Sequence, residues 1–323
     1  MKIVSSIILF LLTLFLSHVA NGQTSANGYN LNDILKSYFY LFGQSTSIQY
    51  YIDQFPDNNE IVLIRMNESS YFGSARDRMR AYLISQIDEQ EFLKQENNLK
   101  DVLSARYKNI NLDVASLKTD INGRLKQMHS IPEDFKKVIL SFKYQNNLNR
   151  LISDNYYYIF QSTNHSKSKG IDFNLKIPVV FESKEGDRPN VIQSFKSYIG
   201  NGFITFNILA QNAPGIGKPN KNDVLELISS GEYKSMLIPN AKNIKVSYIA
   251  LEAFHGMKMR FDLESQRLDL TFKTETIQYM LFLENKMLLF TFGVESSNDF
   301  DEALFNAYVT SIMNTLVINS NYR

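Results

Sequence analysis

The apolar residues of this chain change period part-way along it, and that change limits the possible folds more than any other feature. Up to about Phe160 they recur every three or four residues, the repeat of one helix face. After Gly170 they recur every second residue, the repeat of a half-buried strand. A helical half followed by a sheet half is therefore the expected α+β layout.

In the first half, Leu31, Ile34, Leu35, Tyr38 and Phe42 share a face, with Gly43 read as a stop. Ile48, Tyr51, Ile52 and Phe55 continue the spacing to Pro56. After the run Ile61-Val62-Leu63-Ile64 a long helical pattern carries Phe72, Ala75, Met79, Leu83, Phe92, Leu99 and Leu103, with no proline between Pro56 and Pro132. Val114, Leu117, Ile121, Leu125 and Met128 alternate spacings of three and four, a seam suited to helix pairing. Pro132 sits near the start of a last helix with Phe135, Val138, Ile139 and Phe142. These features predict a bundle or hairpin, and Asp88, Glu89, Glu91, Lys94 and Glu96 read as its solvated face.

Residues 161–170 are polar and end in glycine, which marks a linker. Beyond it, Phe173, Leu175 and Ile177 alternate with polar residues, and 203–210 is apolar on both faces, as a buried strand would be. Asn222 is the expected cap of a short helix ended by Gly231. Met257, Met259, Phe261 and Leu263 alternate with charges, turn at Ser265-Gln266-Arg267, and continue as Leu268, Leu270 and Phe272. A second hairpin, 277–283 with 287–294, turns at Glu284-Asn285-Lys286. A final helix starting near Asn298 and Asp301 puts Phe300, Leu304, Ala307, Tyr308 and Ile312 on one side. The expected division is a signal peptide over 1–22, a helical domain over 23–160, a linker over 161–170, and an antiparallel sheet packed on a long C-terminal helix over 171–323.

The second half resembles the fold family of PsbP and DcrB. Early strands end at Ala210, a helix follows near Asp223, Gly256 opens the hairpins, and the last helix runs into Leu316-Val317-Ile318. The resemblance covers about half of the mature chain and rests on element order. It implies a non-catalytic binding or assembly module and transfers no site residue. The helical half lies outside it.

Lys2, an apolar run over 7–16 and the small-residue site Ala20-Asn21-Gly22 make a secretory signal. The run is about half of the roughly 20 residues a bilayer span needs, so a retained anchor is the weaker reading. Removing 1–22 takes away one lysine and no acid, leaving 33 bases against 33 acids. With no net field and no basic stripe, nucleic acid is not an expected partner. The chain has no cysteine, so it can be neither a lipoprotein nor a disulfide scaffold. Its 44% hydrophobic composition can supply a core without such staples. An extracytoplasmic location follows, in the periplasm or secreted.

Chemistry is sparse. His129, His165 and His255 are isolated, which offers no zinc-ligand spacing, and no calcium loop appears. No G-x-S-x-G elbow exists. The segment from Ala213 through Lys218 to Pro219 misses the phosphate-loop pattern at Asn212 and Pro219, and reads as a turn. Tyr156-Tyr157-Tyr158 reads as a helix end packing on the second domain. Asn67-Glu68-Ser69 and Asn164-His165-Ser166 read as chance glycosylation triplets. No catalytic, cofactor-binding or metal residue is assigned, and no cofactor is expected. The sequence favours an exported, non-catalytic binding or assembly module, with a protein partner or self-association through the helical half and no transmembrane segment in the mature chain. The alternative is an exported hydrolase whose acidic pair sequence spacing cannot reveal.

Overall fold

The computed structural model describes residues 29–108, 113–127, 131–199, 202–267, 270–295 and 301–319. The signal segment, His129, and the Leu268 and Asn298 positions fall outside them. The chain divides into two compact units, Met1–Gln145 and Asn146–Arg323. Helices come first and an antiparallel sheet second, so the chain is α+β.

The helical unit contains α1 (Leu31–Gln54), α2 (Asn59–Glu68), a π-helical turn (Ser69–Gly73), α3 (Ser74–Gln86), α4 (Glu89–Tyr107), α5 (Val114–Gln127) and α6 (Glu133–Lys143). Side-chain caps start four of them, α5 through Asp113, which accepts from the Ala115 amide. Asn30 accepts from the Asn32 amide, Asn58 from Glu60, and Asp88 from Glu91. Gly43 does not stop α1, which runs on as one helix of 24 residues. Its inner face (Ile34, Tyr38, Leu41, Ile48, Tyr51) stays buried past the glycine, and this packing outweighs the ~1 kcal/mol cost of glycine in a helix. Ile61-Val62-Leu63-Ile64 is helical too: Ile61 and Ile64 point inward, while Leu63 and Met66 are about 60% exposed. In the α5 seam Ile121 is buried, and α5 packs against α2.

Among the described residues the second unit adds a short helix α7 (Arg150–Ser153) and ten strands. A three-stranded sheet has the order β1-β2-β10, from β1 (Tyr157–Gln161), β2 (Phe173–Pro178) and β10 (Val317–Ile318). A seven-stranded sheet has the order β3-β4-β5-β9-β8-β7-β6. It comprises β3 (Glu182–Glu185), β4 (Val191–Ile199), β5 (Gly202–Asn212), β6 (Lys242–Leu251), β7 (Phe254–Arg267), β8 (Leu270–Leu283) and β9 (Lys286–Glu295). Every pairing is antiparallel. One face carries Phe195, Phe206, Phe290 and Phe292, with Phe206 stacked on Phe292 at 4.1 Å. The small sheet closes this face through Phe173 on Phe290 and Phe160 on Phe195. Helix α9 (Glu302–Met313) joins it where Tyr308 stacks on Phe181 at 6.1 Å. The opposite face holds Met257, Met259, Phe261, Met280 and Phe282, covered by Val224 of α8 (Lys221–Ser230) and by Tyr233.

Several boundaries differ from the sequence reading. Residues 161–170 do not join two domains. The units divide at 145/146, and this segment connects the paired strands β1 and β2, with Ser162 Oγ accepting from the Phe173 amide and donating to the Ile171 carbonyl. Its polar side chains mark a tightly bonded hairpin loop. Tyr157 and Tyr158 open strand β1, and burial raises the phenol of the preceding Tyr156 to about 12. Strand β5 buries only alternate residues (Ile204, Phe206, Ile208, Ala210). Asn220, not Asn222, caps α8, in a capping box with Asp223, while Gly231 ends it in the left-handed region. Ser265-Gln266-Arg267 are paired strand residues, so β7 and β8 form one hairpin of two 14-residue strands. Helix α9 is capped by Asp301, and its buried face is Phe305, Tyr308, Val309, Ile312 and Met313, rotated by about one residue from expectation.

Gly256 permits the close approach of β7 to β8. A Cβ there would lie 2.0 Å from the Met280 carbonyl oxygen, a backbone atom that cannot move aside. Gly256→Ala is therefore expected to lower unfolding free energy by about 2 kcal/mol, as overpacking does. Urea titration checks this, and an unchanged midpoint would refute the close contact.

Candidate functional site

A cleft in the helical unit follows from one stripe of α1. Phe42, Ser45, Thr46, Gln49, Tyr50 and Asp53 recur at helical spacing beside the buried face, and the small Ser45 and Thr46 leave a hollow between aromatic ends. Helix α4 forms one bank through Lys100, Leu103, Ser104 and Tyr107, and Arg65 of α2 forms the other. The open cleft measures about 370 Å³, within the range of small-molecule sites. Tyr50 and Tyr107 stack at 5.1 Å with a 27° tilt, and Tyr107 donates to Ser47 Oγ at 2.6 Å. Arg65 donates to Gln49 Oε1 at 2.5 Å, and Gln49 Nε2 donates to Asp53 Oδ1 at 2.7 Å. This relay fixes the guanidinium at the rim. Lys100 Nζ lies 5.5 Å from the centre of the Phe42 ring.

Two buried carboxylates lie in the same unit. Glu96 accepts from Tyr38 Oη and from Arg80 through both carboxylate oxygens, at 2.9 and 3.2 Å for the arginine. Burial, reinforced by the hydrogen bond to Glu96, holds the Tyr38 phenol far above its usual range. Glu68 accepts from Arg76 at 2.9 Å and from Gln44 at 3.5 Å, and its Oε2 has no hydrogen-bond partner among the described residues. Desolvation raises its carboxyl, with Arg76 and then Arg65 opposing the shift. Glu68 immediately precedes the π-helical turn, a local irregularity often found near functional sites.

A second cleft of about 340 Å³ lies in the sheet unit, between α8, the loop through Ile216 and Pro219, and Phe282. Its rim carries Asp223, Glu226 and Glu232 and no basic side chain. Asp223 Oδ2 already accepts from the Asn220 amide in the helix cap.

Glu96 corrects the sequence reading, because it is a core residue and not part of a solvated face. Its spacing from Phe92, Leu99 and Leu103 placed it on the apolar stripe, and that signal was available. Glu68 carried a similar signal, four residues after Ile64 and four before Phe72. His165 Nδ1 accepts from the Lys167 amide and starts a short 3-10 turn. His255 lies inside β7 and shares a 2.6 Å hydrogen bond with Tyr248 Oη. The loop after β5 is a turn in which Gly215 and Gly217 adopt positive φ. Among the described residues no group of three or more acidic or histidine side chains could hold a metal ion, and no helix is long and apolar enough to cross a membrane.

No protein-family model matches the chain, and no curated protein does. Among solved structures it is similar to LpqN of Mycobacterium tuberculosis, described as involved in cell envelope biogenesis, at 13% identity and TM-score 0.31 over 52% of this chain and 94% of that one. A structure from Bacteroides thetaiotaomicron VPI-5482 matches at 14% identity and TM-score 0.28, covering 47% of this chain and 46% of that one.

Proposed function

We propose that this protein is an exported, non-catalytic binding or assembly module whose helical unit makes the contact. The observation that carries this reading is the aromatic-walled cleft on α1, in a unit whose two buried carboxylates are each engaged by an arginine. Its buried charges are spent on holding helices together, and its open polar and aromatic surface is left for contact. The exposed Leu63 and Met66 of α2 add an apolar surface for a protein partner or a second copy. The signal pattern over 1–22 supports export to the periplasm or outside, and the element order of the sheet unit supports kinship with the PsbP and DcrB fold.

Three measurements test this. The protein recovered from its own cells should begin at Gln23, and an intact Met1 would refute export by signal cleavage. Leu63→Lys with Met66→Lys should abolish self-association in light scattering, or capture of a partner, without altering the melt. Turnover of esters, glycosides or peptides that tracks the purified protein would overturn the binding reading. Hydrolysis by an acidic pair is the second reading, favoured by the carboxylates around the 340 Å³ cleft. It requires that such turnover disappear in Glu226→Gln or Glu232→Gln.

A further inference from the structure

The charge and shape of the helical cleft define a ligand class. Its cationic rim has Arg65 on one bank and Lys100 on the other, against the single acid Asp53. Asp53 already accepts a hydrogen bond from Gln49, which in turn accepts from Arg65. One N–H of Arg65 is used in this relay, and a guanidinium has five. Neither Arg65 nor Lys100 forms an ion pair within 4 Å among the described residues. The lining includes Phe42, Tyr50 and Tyr107; Tyr50 and Tyr107 stack on each other, while Phe42 stacks on Tyr38 at 5.6 Å and lies under Lys100. The second cleft, similar in volume, has three acids and no base at its rim, so the two sites differ in the charge they accept.

Resting on the binding-module reading, we propose that this cleft takes one small amphipathic anion, a flat aromatic body bearing a single anionic group. The body lies against the Tyr50–Tyr107 pair, where stacking favours a planar ring. The anionic group sits at the Arg65 end of the cleft, where charge-assisted hydrogen bonds favour carboxylate, sulfonate or phosphate oxygens, and Lys100 at the Phe42 end adds positive field. The volume of about 370 Å³ equals roughly a dozen waters at ~30 Å³ each, which suits two or three fused or linked rings and not a polymer.

The test uses the full protein and a matched pair of dyes, 1-anilinonaphthalene-8-sulfonate and the uncharged N-phenyl-1-naphthylamine. The sulfonate should bind at one saturable site per chain. Arg65→Gln with Lys100→Gln should weaken it about tenfold, a change of ~1.4 kcal/mol, and should alter the uncharged dye less than about threefold. Ser104→Trp, which fills the hollow, should abolish both. If that variant melts early, Ser104→Gln should still weaken both. Sulfonate binding that survives the double charge removal, or that survives filling of the cleft, would overturn the proposal and place the dye on the exposed Leu63 and Met66 surface. Loss of the dye effect alone, with partner capture or self-association intact, refutes the ligand class and leaves the binding module standing. Turnover refutes the module itself.

Discussion

Ile312→Asp should cost the sheet unit about 4 kcal/mol or more, whereas Ala307→Asp on the same helix should change stability by about 0.5 kcal/mol or less. Ile312 is fully buried on the α9 face that also carries Phe305, Tyr308 and Val309, and Ala307 is exposed. The aspartate would lose the apolar contacts of isoleucine and place a carboxyl on a buried apolar face, so it must either stay charged in an apolar site or be forced to take up a proton. The outer side of α9 is held by different chemistry. Glu302 pairs with Arg260, and Asn306 accepts from Lys258 at 2.6 Å. Those contacts are exposed and contribute little, so the apolar face decides whether the helix stays docked. Denaturant unfolding followed by circular dichroism reads both variants. Similar losses would mean that the helix is rotated from the position described.

That rotation shows how far the sequence could be read. The existence of α9 was plain from its spacing, but Leu304, Ala307, Tyr308 and Ile312 fit a helical stripe nearly as well as Phe305, Tyr308, Val309, Ile312 and Met313 do. A stripe of four residues fixes a helix and leaves its facing uncertain by one residue, or 100°. The alternation over Met257, Met259 and Phe261 was decisive for a strand. The turn was misplaced because Ser265-Gln266-Arg267 are polar, and polar residues also occupy paired strand positions. Strand β6 left little trace, since its buried partners come from α8, and its own residues are mostly half-exposed. Residues 161–170 carried the composition of a linker, yet Ser162 spends its hydroxyl and its amide inside a hairpin. The cleft on α1 was illegible for a different reason. It arises from two small residues, Ser45 and Thr46, between aromatic neighbours, and only the flanking helices turn that gap into an open cleft.

Arg76→Met is the second large effect expected, with a loss of about 3 kcal/mol from the helical unit at neutral pH. Glu68 has a fully buried side chain, and Arg76, only 15% exposed, is the one base bonded to it at 2.9 Å. Removing the guanidinium leaves the buried carboxylate with the long contact to Gln44 and the more distant charge of Arg65. Glu68→Gln alone should be nearly neutral or mildly stabilising, because the native pair does not fully offset the cost of burying the charge. Its carboxyl is already raised by desolvation in the presence of Arg76. The double variant should recover most of the loss, as neutral replacement of a buried pair commonly does. The pH dependence follows from the same shift. A carboxyl whose folded value lies above its unfolded value binds its proton more tightly in the folded state. Its penalty is thus absent below the unfolded value and grows as pH rises through the folded one. The Arg76→Met deficit should accordingly be largest near pH 7 and shrink toward about pH 4. The Glu68→Gln background should flatten that dependence. Thermal or urea unfolding of the four proteins at both pH values decides it. A deficit that is independent of pH, or one that persists unchanged in the double variant, would show that Arg76 acts through packing of its chain and not by neutralising Glu68.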